Sequence, residues 1–134
     1  MSRISNEVRQ QVRDRAETHC EYCRLPDAYA TFGHQVDHIV PHRHGGTDDV
    51  DNLAWACFPC NNNKSIDIAS FDFETNELTL LFNPRKHLWD DHFVIVEDAI
   101  MGLTKAGRVT ARLLKMNVIE RIDTRRDLID AGLW

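Results

Sequence analysis

No stretch of this 134-residue chain approaches the ~20 consecutive apolar residues that a membrane-spanning helix requires. Its opening, MSRISNEVRQQ, is polar and has no apolar centre of the kind a secretory leader carries, so a cytoplasmic setting is expected. There is no internal repeat, low-complexity tract or long linker. That leaves a single compact domain, residues 1–134, long enough to bury a modest core. An excess of positive charge is missing too, the net charge being −5. Cysteine is scarce: there are four, and none stands outside two pairs. In a reducing compartment such thiols serve as metal ligands more readily than as disulfides.

The apolar share of 43% and the charged share of 28% are those of a globular protein and exclude a disordered one. Charge is unevenly spread. Residues 67–98 hold two basic against eight acidic side chains, whereas residues 99–134 hold seven basic against four acidic. A basic C-terminal face for phosphate is therefore compatible with the negative total.

The two cysteine pairs are Cys20-Glu21-Tyr22-Cys23 and Cys57-Phe58-Pro59-Cys60. Each C-x-x-C can set two sulfurs on one metal across a tight turn, and two such pairs complete a tetrahedral four-sulfur site for Zn²⁺. A closed shell of this kind has no open coordination position, so the zinc is expected to be structural. An iron centre on the same sulfurs, two redox dithiols, or four metal-free buried thiols are the competing readings. A zinc deaminase is not matched: its signature needs a proline directly before the second C-x-x-C, and here the proline, Pro59, lies inside that pair.

Between the pairs lies VDHIVPHRHGG, residues 36–46, with His38, His42 and His44 close together. Histidine exchanges a proton near neutral pH and is a common metal ligand. Residues 28–32 and 35–40 are expected to form two short strands that turn at Gly33-His34, with Pro41 ending the second. Residues 42–51 read as a loop in which Gly45-Gly46 permits sharp turns. Residues 52–56 are a short apolar run, and residues 60–65 should start a helix. From the residues alone, His38 could be a core histidine, Asp37 a turn cap and Asn52 a helix N-cap ahead of Leu53. His42 and His44 are expected as exposed loop residues.

On the N-terminal side, Val8, Val12 and Ala16 recur at four-residue spacing behind Ser5, an amphipathic helix leading into the first pair. On the C-terminal side, residues 71–74 and 78–82 should form a hairpin about Thr75-Asn76-Glu77. Residues 93–96 and 99–102 suggest two more strands. Residues 104–116 read as a helix with Ala106, Val109, Leu113 and Met116 on one face. Asn117 followed by Glu120 suggests a capped start to a last helix, which would turn Ile119, Ile122 and Ile129 inward and end at Gly132. Arg108, Arg112, Lys115, Arg121, Arg125 and Arg126 carry the basic surplus, either as a solvated face or as contacts to a phosphate backbone.

The order C-x-x-C, D-H-I-x-P-x-x-x-G-G, N-L and C-x-x-C-N-x-x-K, over about residues 16–66, resembles the HNH endonuclease family. Residues 78–134, with Phe82-Asn83-Pro84-Arg85, Trp89, His92-Phe93, Gly102-Leu103-Thr104 and Gly107-Arg108, resemble the tail of a group of small bacterial proteins of that family. The resemblance implies an α+β fold: a zinc-stapled ββα-metal nuclease core at 16–66, an N-terminal helix, and a strand-plus-helix extension at 71–134. It implies hydrolysis of DNA phosphodiester bonds with a 5′ phosphate and a 3′ hydroxyl on the products. His38 would be the general base, Asn52 the positioning residue, and Asp37 and Asn61 the ligands of a catalytic divalent cation. Many members have histidine where Asn61 stands, and asparagine favours an oxygen-seeking ion such as Mg²⁺ or Mn²⁺. The run Asn61-Asn62-Asn63 leaves open which amide meets the ion.

Adjacent strand residues point to opposite faces, so a local irregularity is expected to bring Asp37 and His38 to one phosphate. Lys64, one helical turn beyond Asn61, could contact that phosphate, and Arg108 and Arg112 are further candidates for substrate contact. RNA remains a possible substrate, and a homodimer is expected if both strands are cut. The alternative from another class is a non-catalytic zinc-binding module for nucleic acid or protein, which would bind without turnover.

Overall fold

Ser5 accepts a hydrogen bond from the Val8 amide and starts helix α1, Asn6–Arg15. Its buried face is Val12, with Val8 and Ala16 packed beside it. The structure, a computed structural model, describes residues 4–134, so Met1–Arg3 of the polar opening lie outside the described residues. After α1, Glu17 and Thr18 take positive φ and turn the chain into the first cysteine pair.

The central pair of strands differs from the expected one. Residues 28–32 form no strand; a single 3₁₀ turn, Asp27–Tyr29, stands there behind Pro26. Strand β1, Gln35–His38, pairs instead with β2, Leu53–Ala56, in an antiparallel register that joins Asp37 to Ala54 and His38 to Leu53. Every residue of β2 is buried because both its faces are covered. Leu53 and Trp55 meet Val12 under α1, while Ala54 and Ala56 face the cysteines. A strand covered on both sides reads as an unbroken apolar run without alternation. Helix α2, Phe58–Lys64, follows directly, with Cys57 as its N-cap.

The extension adds two hairpins and three helices. Strands β3, Ala69–Phe71, and β4, Leu78–Leu80, pair antiparallel, and β5, Phe93–Val96, pairs with β6, Ala99–Gly102. A short helix α3, Trp89–His92, precedes β5, and α4, Lys105–Leu113, is capped by Thr104. A Cβ on Gly107 would stand 2.1 Å from the His92 carbonyl oxygen, so α4 crosses the hairpin where only glycine fits. Val109 and Met116 are buried as expected, and Leu114 is fully buried where Leu113 is only partly so.

Helix α5, Ile119–Asp130, corrects two expectations. Asn117 is not its cap; its side chain pairs with both backbone groups of Ile100 at 2.8 Å. Ile119 and Ile129 are exposed, and the inward residue is Arg125, whose guanidinium donates to the Met116 and Asp98 carbonyls. Gly132 ends the helix at φ 72°. One buried cluster joins the four cysteines to Phe82, Phe93, Ile100, Leu114 and Met116, so the residues of the extension and the cysteine frame share a core. No helix among the described residues is long and apolar enough to cross a membrane.

Candidate active site and metal centre

Cys20, Cys23, Cys57 and Cys60 are all buried, with their sulfurs within 4.8 Å of one another, and could together hold one metal ion. Both pairs turn in the same way. The Cys23 amide donates to Cys20 Sγ at 3.4 Å and the Cys60 amide to Cys57 Sγ at 3.5 Å. Burial pushes the Cys20 and Cys60 thiols up, whereas hydrogen bonds from the neighbouring thiols pull Cys23 down. Arg121 of α5 donates to Cys60 Sγ at 3.0 Å, placing a fixed positive charge against sulfurs that become thiolates on binding a metal.

The two residues inside the first pair tie this centre to the strands. Glu21 pairs with Trp55 of β2 through its amide and its carboxylate, each at 2.8 Å, and also holds Arg85 of the extension. Tyr22 donates its hydroxyl to Asp37 Oδ2 at 2.6 Å, and its carbonyl accepts the Trp89 indole at 2.8 Å. Arg85 and Trp89 thus clamp the tail onto the first cysteine turn.

Asp37 faces α2 and is 4% exposed; Lys64 is 1% exposed and donates to Asp37 Oδ1 at 3.2 Å and to the His38 carbonyl at 2.9 Å. Burial pushes the Asp37 carboxyl up, with Lys64 and Tyr22 pulling against it. One turn earlier on α2, Asn61 donates to Gln35 at 2.9 Å, so strand positions 35 and 37 meet helix positions 61 and 64 in turn. Lys64 therefore faces Asp37 instead of solvent. Replacing it by methionine strands a buried carboxylate, for which a loss of about 3–5 kcal/mol is expected. Urea unfolding of Lys64→Met against the parent checks this, and equal midpoints would contradict it.

His38 lies on the other face, at the end of a ladder that is regular throughout, so the expected strand irregularity is absent. Its Nε2 meets Asp48 Oδ1 at 2.7 Å, and His42 Nε2 meets the same oxygen at 2.8 Å. Asn52 holds the loop that carries Asp48. Its amide matches both backbone groups of Val40 at 2.9 Å and donates to the Thr47 carbonyl at 2.8 Å. Gly46 is packed into this brace: a Cβ there would fall 1.6 Å from the Val40 oxygen.

Residues 20–66 match the HNH endonuclease family. No curated protein and no solved structure matches the chain. The HNH segment begins at the first cysteine and ends just beyond α2, so it holds the four thiols, Asp37, His38, Asn52, Asn61 and Lys64. The match places this segment with nuclease-type proteins, whose substrate is nucleic acid.

Outside the HNH segment, Arg108 is committed to Asp72, with both guanidinium contacts at 2.9 Å; this pairing holds the Asp72 carboxyl below the usual carboxylate range. Arg112 is exposed, with its guanidinium 5.5 Å from the centre of the Phe73 ring. Asp48 and Tyr22 are the site residues that sequence reasoning passed over. The signal for Asp48 is the spacing D-H-x-x-x-H-x-x-x-x-x-D, which a loop closed by two glycines can fold back on itself.

Proposed function

We propose that this protein is a divalent-metal-dependent endonuclease acting on DNA, with β1, β2 and α2 as its ββα unit and zinc on the four cysteines as its staple. The 1–134 chain acts as one domain in this reading. The observation that carries it is the held imidazole of His38, joined to Asp48 on a loop that Asn52 pins to the strand.

A carboxylate only accepts, so the bond to Asp48 puts the proton of a neutral ring on Nε2 and the basic lone pair on Nδ1. Nδ1 of His38 takes the proton from the attacking water, and Asp48 stabilises the imidazolium that results. Asn52 is a positioning residue: it fixes residue 47 against residue 40 and thereby sets the direction of the ring.

The four buried sulfurs fit a tetrahedral zinc by donor type and spacing. For the catalytic cation, Asp37 and Asn61 are the assigned ligands. Their carboxylate and amide oxygens suit Mg²⁺ or Mn²⁺, and the Asn61 bond to Gln35 through Nδ2 reserves Oδ1 as its donor atom. Asp37 already accepts from Lys64 on Oδ1 and from Tyr22 on Oδ2, so a cation held by Asp37 and Asn61 would take the place of the Lys64 charge. A bound cation supplies charge neutralisation at the phosphate and the departing oxygen. Lys64 and Arg108 serve the fold, while the exposed Arg112 is the basic side chain offered to a DNA backbone.

The test is relaxation of supercoiled plasmid by protein carrying one zinc per chain, on the four cysteines. Cleavage is expected on adding Mg²⁺ or Mn²⁺ and not without them. Tight DNA binding with no cleavage under any divalent ion would favour a binding module instead.

A further inference from the structure

His38, His42 and Asp48 approach one another from three different pieces of backbone: the end of β1, the turn after Pro41, and the loop beyond Gly46. Their donor atoms lie within 4.8 Å of one another, the two rings are 4.6 Å apart, and both Nε2 atoms converge on one carboxylate oxygen. The side chains are 25%, 46% and 40% exposed, so a cation can enter and water can complete its shell.

From this geometry we propose that His38, His42 and Asp48 form a second metal site, separate from the four cysteines. It takes a transition-metal dication of the Zn²⁺ or Co²⁺ kind. Two imidazoles and one carboxylate suit such an ion, whereas Mg²⁺ seeks oxygen and dehydrates reluctantly. Bonds of about 2.0–2.2 Å in a tetrahedral shell set the donors about 3.4 Å apart. The Asp48 oxygen, at 2.7 and 2.8 Å from the two nitrogens, needs to withdraw by only a fraction of an ångström. Asn52 and the packed Gly46 hold the loop in place for this.

Binding also reverses the ring. An ion on Nε2 of His38 moves the proton to Nδ1 and removes the lone pair assigned to the base. That consequence rests on the nuclease reading above: zinc at this site should stop Mg²⁺-supported cleavage. The site itself does not depend on that reading.

The experiment uses the full chain with its four-cysteine centre already loaded with zinc. Co²⁺ is titrated in, bound metal is counted by equilibrium dialysis, and the visible spectrum is recorded. One further equivalent per chain is expected, with a cobalt spectrum lacking thiolate-to-metal charge transfer. His42→Ala and Asp48→Asn should each keep the first equivalent, which also reports an intact fold, and weaken the second at least tenfold. No second equivalent in the parent, or unchanged uptake in both variants, overturns the site. If the second ion binds and cleavage in Mg²⁺ continues at the same rate, the site stands and His38 is not the base.

Discussion

Cys57→Ala is expected to yield a chain that holds no zinc and shows no cooperative thermal unfolding. Cys57 is fully buried, caps α2 through its sulfur, and accepts the Asn61 amide on its carbonyl. Its loss therefore removes a ligand and a helix start together. Apparent binding free energies for structural zinc are about 10–16 kcal/mol, against a typical net stability of about 5–15 kcal/mol for a whole domain. The core around Phe82, Phe93, Leu114 and Met116 is built on these same cysteines, so the extension should be lost with the centre. Metal analysis together with circular dichroism on heating checks this. A chelator-stripped parent that still melts cooperatively at its original temperature would show that the thiols pack without metal.

The second large effect is on chemistry. His38→Ala should lower the rate of DNA cleavage by about 10²–10⁴-fold, the usual contribution of a positioned base. Stability should change little, because the ring is partly exposed at the end of β1 and its backbone pairing with Leu53 does not depend on the side chain. The contrast with Cys57→Ala is informative. One variant should fold and fail to cut, while the other should fail to fold.

Much of the site was legible because its residues are local. The spacing of the cysteines brought four sulfurs together, and Asn52 does brace the loop that follows His38. Asn52 can do this because an amide offers a donor and an acceptor at the spacing of a strand's own peptide group. The partner of β1 was not legible, since β2 is buried on both faces and shows no alternation, while the alternating residues 28–32 lie outside any strand.

The basic surplus was half legible: Arg112, Lys115 and Arg126 are exposed, as a solvated face would be. Sequence charge does not say whether a guanidinium meets water, and Arg108, Arg121 and Arg125 are spent on Asp72, on Cys60 and on backbone carbonyls. The tail residues Arg85 and Trp89 stand against Glu21 and Tyr22 of the first cysteine turn. Contacts between positions more than sixty residues apart leave no spacing signal in a single sequence.

The most direct measurement is the single-turnover rate of supercoiled plasmid cleavage in Mg²⁺, comparing the parent with His38→Ala at equal zinc content and equal melting temperature. A fall of about a hundredfold or more is expected from loss of the base. Equal rates would remove His38 from the chemistry and the proposed mechanism with it.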